Sequence, residues 1–142
     1  MRADLSQRLQ YKGCMFSDVP NLAMSFGYIN ASWTLKADLI SEFVGRLLNH
    51  MDQVGLRQCT PKLTDAAMPR EPFLDFTSGY VTRSIDRFAK QGSRRPWKLY
   101  QNYPLDIALL RYGRIDDGVM AFSNPAPRAT ASDWAKPRTL FR

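Results

Sequence analysis

Residues 20–51, PNLAMSFGYINASWTLKADLISEFVGRLLNHM, decide how this chain folds. Behind Trp33, apolar residues fall at Leu35, Leu39, Ile40, Phe43, Val44, Leu47, Leu48 and Met51. Offsets of three and four put them in one stripe, which predicts an amphipathic helix near 32–51, about 30 Å long. Asn30 or Ser32 suits its N-cap, because a short polar side chain can accept from the orphan amides of a first turn. Gly55 suits its end, since a residue without Cβ enters the left-handed conformation cheaply. Ahead of the helix, residues 22–28 (LAMSFGY) form a short apolar run flanked by Pro20 and Gly27. Its length and flanks predict a buried strand of roughly five or six residues, although periodicity alone also allows a core helix.

Outward from this unit the pattern weakens. Residues 4–18 read as an irregular or strand-like entry, apolar around Tyr11 and over 14–16. Residues 56–76 hold Pro61, Pro69 and Pro72 and read as a long loop. Helical spacing returns at Tyr80, Val81, Ile85 and Phe88, with Ser78 as cap. Residues 89–97 read as loop, and 105–112 as a short helix after Pro104. Asp117-Gly118 predicts a tight turn before 119–122. Pro125, Pro127 and Pro137 among small and basic residues make 123–142 a loose tail. The expected whole is an α+β piece with one long helix, shorter helices and a few strands whose neighbours are missing.

With 44% hydrophobic and 23% charged residues in 142, the composition is that of one globular domain and excludes wholesale disorder. No apolar run approaches the ~20 residues a membrane-spanning helix needs, and MRADLSQRLQ has no apolar core of a secretory signal, which predicts a cytoplasmic protein. Cys14 and Cys59 form no CxxC motif; both are expected to be reduced, with Cys14 a small core residue. The net charge of +7 suits nucleic acid, anionic lipid or a phosphate-bearing cofactor without choosing among them.

Self-contained catalytic machinery is missing. No two of the eight glycines are separated by a single residue, so there is no GxGxxG dinucleotide loop. Gly113 and Gly118 have phosphate-loop spacing, but Val119 stands where its Lys belongs. His50 is the sole histidine, which removes histidine-based zinc and two-histidine iron sites. Its place near the helix end suits a structural cap better than a general base working with Ser41 or Asp52. Asp116 and Asp117 are adjacent and suit a turn better than an acid/base pair. No catalytic residue and no metal ligand is assigned.

The run YKGCMFSDVPNLAMSFGYINASWTLKADL (11–39) resembles the C-terminal FAD-domain segment of flavin-dependent monooxygenases, nearest to the Baeyer–Villiger-type and ethionamide-activating branch. The resemblance continues through LDFTSGYVTRSIDRFAKQGSRRPWKLYQNYPLD (74–106) and RYGRIDDGVMAF (111–122). It implies that 1–122 is an incomplete C-terminal segment of an FAD-binding monooxygenase domain, with 123–142 as tail. It further implies a parent α/β flavoprotein with two Rossmann-type dinucleotide-binding domains, using FAD, NADPH and O2 to oxygenate ketones or heteroatoms of a small organic substrate through a peroxyflavin. Both glycine loops, the family's histidine-containing fingerprint and its catalytic arginine lie outside this chain. The expectation is a truncated product, a fragment or one half of a split enzyme, inactive alone, with no cofactor stably bound and the N-terminal FAD/NADPH-binding portion as partner. By the same resemblance Asn30, Ala31, Ser32, Trp33 and Thr34 are expected to contact the flavin. A helix N-terminus there would aim amides and about half a positive charge at the ring edge that turns negative on reduction. The bland alternative stays open: Asn30 and Ser32 as ordinary caps, Trp33 as core.

One rival class remains. Arg83, Arg87, Lys90, Arg94, Arg95 and Lys98 stand close to Trp97, Tyr100 and Tyr103. Basic residues interleaved with aromatics suit a small binding module for nucleic acid or an anionic membrane surface. A solvated loop whose aromatics pack inward explains them equally.

Overall fold

The computed structural model describes residues 4–72 and 87–126. Its spine is helix α1, Trp33–Val54. Gly55 ends α1 with φ 68° and ψ 27°, and the amide of Leu56 reaches back to Met51 O at 3.1 Å, closing the carbonyls of the last turn. A side chain at Gly55 would strain this left-handed cap. Lys36, Leu39, Ile40, Phe43, Leu47 and Met51 make the buried face. The stripe is narrower than its sequence suggests: Leu48 points outward and is 56% exposed, and Val44 lies at the margin. Leu39 and Phe43 are fully buried within the chain's own core, against Leu9, Tyr11, Met15, Trp97 and Leu110 among others.

The entry segment is a small hairpin, β1 (Gln10–Tyr11) against β2 (Met15–Phe16), with Tyr11 opposite Met15. Lys12 (φ 50°) and Gly13 (φ 71°) turn the chain between them. The long loop expected over 56–76 contains two strands instead. Strand β3 (Gln58–Pro61) pairs antiparallel with β6 (Met120–Ser123), setting Cys59 opposite Phe122 and Pro61 opposite Met120. Pro61 hid this strand from the sequence reading. It sits at the strand's last position, where its missing N–H costs nothing and its carbonyl accepts from Asp18 at 2.8 Å. Strands β4 (Arg70–Glu71) and β5 (Gln91–Gly92) form a third antiparallel pair, so 89–97 is not wholly loop.

The short helix after Pro104 is present. Helix α2 (Tyr103–Asp106) is capped by Asn102, whose side chain accepts from the Leu105 amide, and widens into a π-helical segment, Ile107–Arg111. Arg46 of α1 satisfies that segment's open end, donating to Leu110 O at 2.8 Å and Gly113 O at 2.6 Å. Arg111 answers with a bidentate pair to Glu42, both contacts 2.6 Å. The helix expected at 78–88 falls almost entirely outside the described residues, as does the tail from 127 onward.

The strand expected at 22–28 is not formed. These residues join no sheet among the described residues, and Ala23, Met24 and Ser25 are exposed. The architecture is a small α+β piece: α1 and α2 with three two-stranded antiparallel pairs. Among the described residues there is no parallel sheet of Rossmann type.

Beneath the start of α1 lies a buried ion pair, Lys36 Nζ to Asp106 Oδ2 at 2.8 Å, both side chains under 10% exposed. Removing one partner strands a charge in the core, so Asp106→Ala should cost about 3–5 kcal/mol. The exposed Arg94–Asp65 pair is no longer, at 2.7 Å, yet Asp65→Ala should cost under about 1 kcal/mol because water screens it. Urea unfolding of the two variants checks the ordering.

Candidate functional site at the start of the long helix

The five residues singled out from the sequence stand together where the chain turns into α1. Ser32 is the N-cap, but its side chain makes no capping hydrogen bond; its hydroxyl pairs with Thr34 Oγ1 at 2.8 Å. The first-turn amides of this 22-residue helix are thus left without a cap from that side chain. Asn30 does not cap either. Its side-chain amide donates to Gln101 O at 3.1 Å, while the Ile29 amide donates to Gln101 Oε1 at 3.2 Å. Gln101 therefore fastens the turn before the helix. Ala31 is exposed.

Trp33 is not plain core. It is 56% exposed and leans on Phe26, ring centroids 5.9 Å apart. Gly27 makes room for it: a Cβ there would lie 2.2 Å from the indole ring. The result is an aromatic face of Trp33 and Phe26 beside an open helix N-terminus. Below it a crevice of about 10 Å³, the size of one water, is lined by Gly13, Phe26, Gly27, Lys36, Tyr100 and Gln101.

Two Tyr–Asp–Lys clusters, one buried and one partly buried, which sequence reading did not find, support this end of the molecule. In one, Tyr28 donates to Asp106 Oδ2 at 2.6 Å beside Lys36. In the other, Tyr11 donates to Asp117 Oδ2 at 2.6 Å, with Lys12 Nζ 3.4 Å from the same oxygen. Asp117 also accepts from the Val119 and Met120 amides, both at 3.0 Å, so the turn role read from Asp117-Gly118 holds and a second role is added. Partners 70 or more positions apart leave no local signal, so only the fold brings them together.

These surroundings fix protonation. Burial, then the hydrogen-bonded carboxylates, push the Tyr11 and Tyr28 hydroxyls well above the usual tyrosine range. Burial works to raise the Asp117 carboxyl, but the Tyr11 hydroxyl, the two amides and Lys12 outweigh it and hold it below its ordinary value. Burial lowers the Lys12 ammonium despite Asp117. Burial also pushes the Cys14 thiol up to about 12, so it is an unreactive core group, as its sequence context implied. Cys59 is likewise a buried free thiol.

The remaining candidates are not brought to this site. His50 packs on Phe122, centroids 4.9 Å apart, and Gly55 rather than His50 closes the helix. In the basic segment, Trp97 points inward, 4% exposed, edge-on to Tyr11. Arg95 and Lys98 lie over Tyr100, at 5.3 and 5.7 Å from its ring centre, and Arg94 pairs with Asp65. Arg83 is outside the described residues. Among the described residues no group of His, Cys, Asp and Glu could hold a metal ion, and no helix is long and apolar enough to cross a membrane.

The clusters predict an asymmetric pH profile. A tyrosine whose folded pKa is raised contributes stability that is whole below about pH 10 and drains as pH climbs past it. Asp117, depressed, contributes above about pH 4 and loses this as pH falls. Lys12, also depressed, opposes the tyrosines at the alkaline end. Stability should be flat between these limits. Tyr11→Phe and Tyr28→Phe should each cost about 1–3 kcal/mol at neutral pH and flatten the alkaline fall. Denaturant midpoints measured from about pH 2 to pH 11 check this.

No family model matches the chain, and no solved structure does. Curated relatives do. The chain is 51% identical over 127 residues to the FAD-containing monooxygenase EthA of Mycobacterium tuberculosis, covering 89% of this chain and 26% of that protein. It is 46% identical over 129 residues to EthA of Mycolicibacterium smegmatis, 91% of this chain and 26% of the relative. It is 43% identical over 120 residues to the probable FAD-binding monooxygenase AlmA of Acinetobacter baylyi, 84% and 24% respectively. The chain spans about a quarter of the length of the relatives it matches.

Proposed function

From its kinship with FAD-containing monooxygenases over nearly its whole length, we propose that this chain is the C-terminal part of such an enzyme and holds one edge of its flavin. The observation that carries this is the 51% identity across 127 residues, which include the helix start and its aromatic neighbours. The residues present suit the cofactor. First-turn amides not capped by Ser32 are donors for an electron-rich ring edge, and the helix dipole favours negative charge there. Trp33, exposed and braced by Phe26 over Gly27, supplies an apolar face that keeps water from the ring. Gln101 holds Asn30 and the turn in place, so Asn30 acts through position more than as a free donor.

When bound, the flavin supplies the redox chemistry, accepting hydride from NADPH and passing electrons to O2 for oxygenation of a ketone or heteroatom. The protein's share at this edge is to orient the ring, shield it and stabilise added negative charge through preorganised amides. None of the described side chains is assigned proton transfer: the buried tyrosines keep their protons and Cys14 stays a thiol. With no glycine-rich nucleotide loop in the sequence, the chain alone holds too little of the cofactor to work. The basic-module reading has weaker support, since Trp97 is buried and Arg94 is paired.

A chimera in which this chain replaces the matching quarter of the 51%-identical relative tests the reading. It should purify with about one FAD per chain and oxidise NADPH, while the chain alone shows no saturable FAD quenching at micromolar concentration. In the chimera, Trp33→Ala should weaken FAD binding about tenfold, as loss of an aromatic contact does. A folded chimera without flavin would overturn the proposal.

A further inference from the structure

The fold divides the basic and aromatic stretch after Gly92 into a buried part and a presented part. Trp97 fills the core, edge-on to Tyr11. Main-chain bonds pin the turn around it. The Trp97 and Lys98 amides both donate to Arg94 O at 3.0 Å, while Pro96 O accepts from the Lys12 amide and Trp97 O from the Gly92 amide, each at 2.9 Å. The Leu99 amide donates to Gln91 Oε1 at 3.0 Å. From this fixed turn Arg94 reaches Asp65. Arg95 and Lys98 go elsewhere. Their charges lie 5.3 and 5.7 Å from the ring centre of Tyr100, which is 38% exposed. Among the described residues neither cation has a carboxylate within ion-pair distance. Two like charges gathered on one ring repel, and the ring's negative face offsets only part of that. Tyr100 also walls the crevice beneath Phe26 and Gly27. Its neighbour Gln101, held at φ 51°, is bonded to Ile29 and Asn30, so the doubly cationic ring and the start of α1 share one rim.

We propose that Arg95 and Lys98, seated on Tyr100, form a binding site for a phosphate group at the rim of the crevice. The chemistry of the pair selects phosphate. The arginine fork offers two parallel donors to an oxyanion, and the lysine ammonium adds a compact point charge. A phosphate monoester brings about −1.5 to −2 charges and three outer oxygens, enough to meet both. A carboxylate brings one charge and two oxygens, which the arginine fork alone satisfies. A single-stranded nucleic acid fits poorly, because Trp97, the ring on which a base would stack, is in the core. The backbone of the turn is already fixed, so binding orders only two side-chain ends that rest on Tyr100 beforehand. The phosphate is carried by a soluble ligand or by a lipid headgroup, and the chemistry that holds it is the same. The site stands on this geometry alone; only its place beside a flavin rests on the flavoenzyme reading.

Nitrogen-15 NMR of the chain, titrated with inorganic phosphate and separately with sodium chloride at equal ionic strength, tests the site without flavin. Phosphate should shift the amides of Arg94, Arg95 and 97–101 selectively and saturate with a Kd of about 1 mM, as a few charge-assisted contacts at an open surface allow. Arg95→Gln combined with Lys98→Gln should weaken this at least about tenfold and leave the α1 amides where they were. Arg57→Gln, which also removes an exposed cation, should change nothing. Tyr100→Leu keeps both charges but loses the ring that gathers them, and should weaken binding about threefold, whereas Tyr100→Phe should not. Shifts that chloride reproduces, that spread evenly over the basic residues, or that survive the double variant overturn the proposal. Vesicles of phosphatidylcholine and phosphatidic acid in equal parts identify the source. Sedimentation that the double variant loses gives the phosphate to a lipid headgroup. Saturation by inorganic phosphate without such sedimentation gives it to a soluble ligand. Because no flavin takes part, an empty phosphate site leaves the flavoenzyme reading standing, and a flavin-free chimera leaves the phosphate site standing.

Discussion

The fold hangs on the carboxylate of Asp106. It takes the Lys36 ammonium at 2.8 Å and the Tyr28 hydroxyl at 2.6 Å, in a place nearly closed to water. Three segments meet there: the stretch before α1, the first turn of α1, and α2. Buried charge is costly unless paired and hydrogen-bonded, so this carboxylate tolerates little displacement of any of them. A purely apolar contact would let the helix start slide by a fraction of a turn, whereas a two-donor carboxylate fixes it. The Tyr11–Asp117–Lys12 cluster does the same for the hairpin and the turn before β6.

What the sequence made legible was what local chemistry dictates. The helix announced itself through the spacing of Leu39, Phe43 and Leu47 and through Gly55, because periodicity and caps act over a few residues. The turn at Asp117-Gly118 and the inert Cys14 were readable for the same reason. Strand β3 was not, since Pro61 looks like a loop residue until its partner Met120 shows that it ends a strand. Nor were the polar clusters, whose members are scattered from Tyr11 to Asp117. Family resemblance pointed to residues 30–34 as the candidate site, but their detailed arrangement was not readable. That Asn30 is fastened to Gln101, and that Gly27 is vacant of side chain because Trp33 lies over it, needed coordinates.

The segment 22–28 was misjudged in an instructive way. Its strand pattern is real, but only its end, Gly27 and Tyr28, is buried, because burial belongs to partners as much as to the segment. A helix satisfies its own backbone and can be called from its own residues. A strand cannot: its main-chain groups are completed by another piece of chain. Helix α1 therefore forms as read, while the segment before it has a strand pattern but joins no sheet among the described residues.

Residues 29–32 join the segment 22–28 to the helix N-terminus, where Ser32 gives no side-chain cap. In α/β proteins ligands gather where strands end and helices begin, because the turn leaves amides free and the sheet fixes their direction. Here the direction is set by Tyr28 on Asp106 and by Gln101 on the turn. The piece thus packs its own core while Trp33, at the helix start, stays 56% exposed.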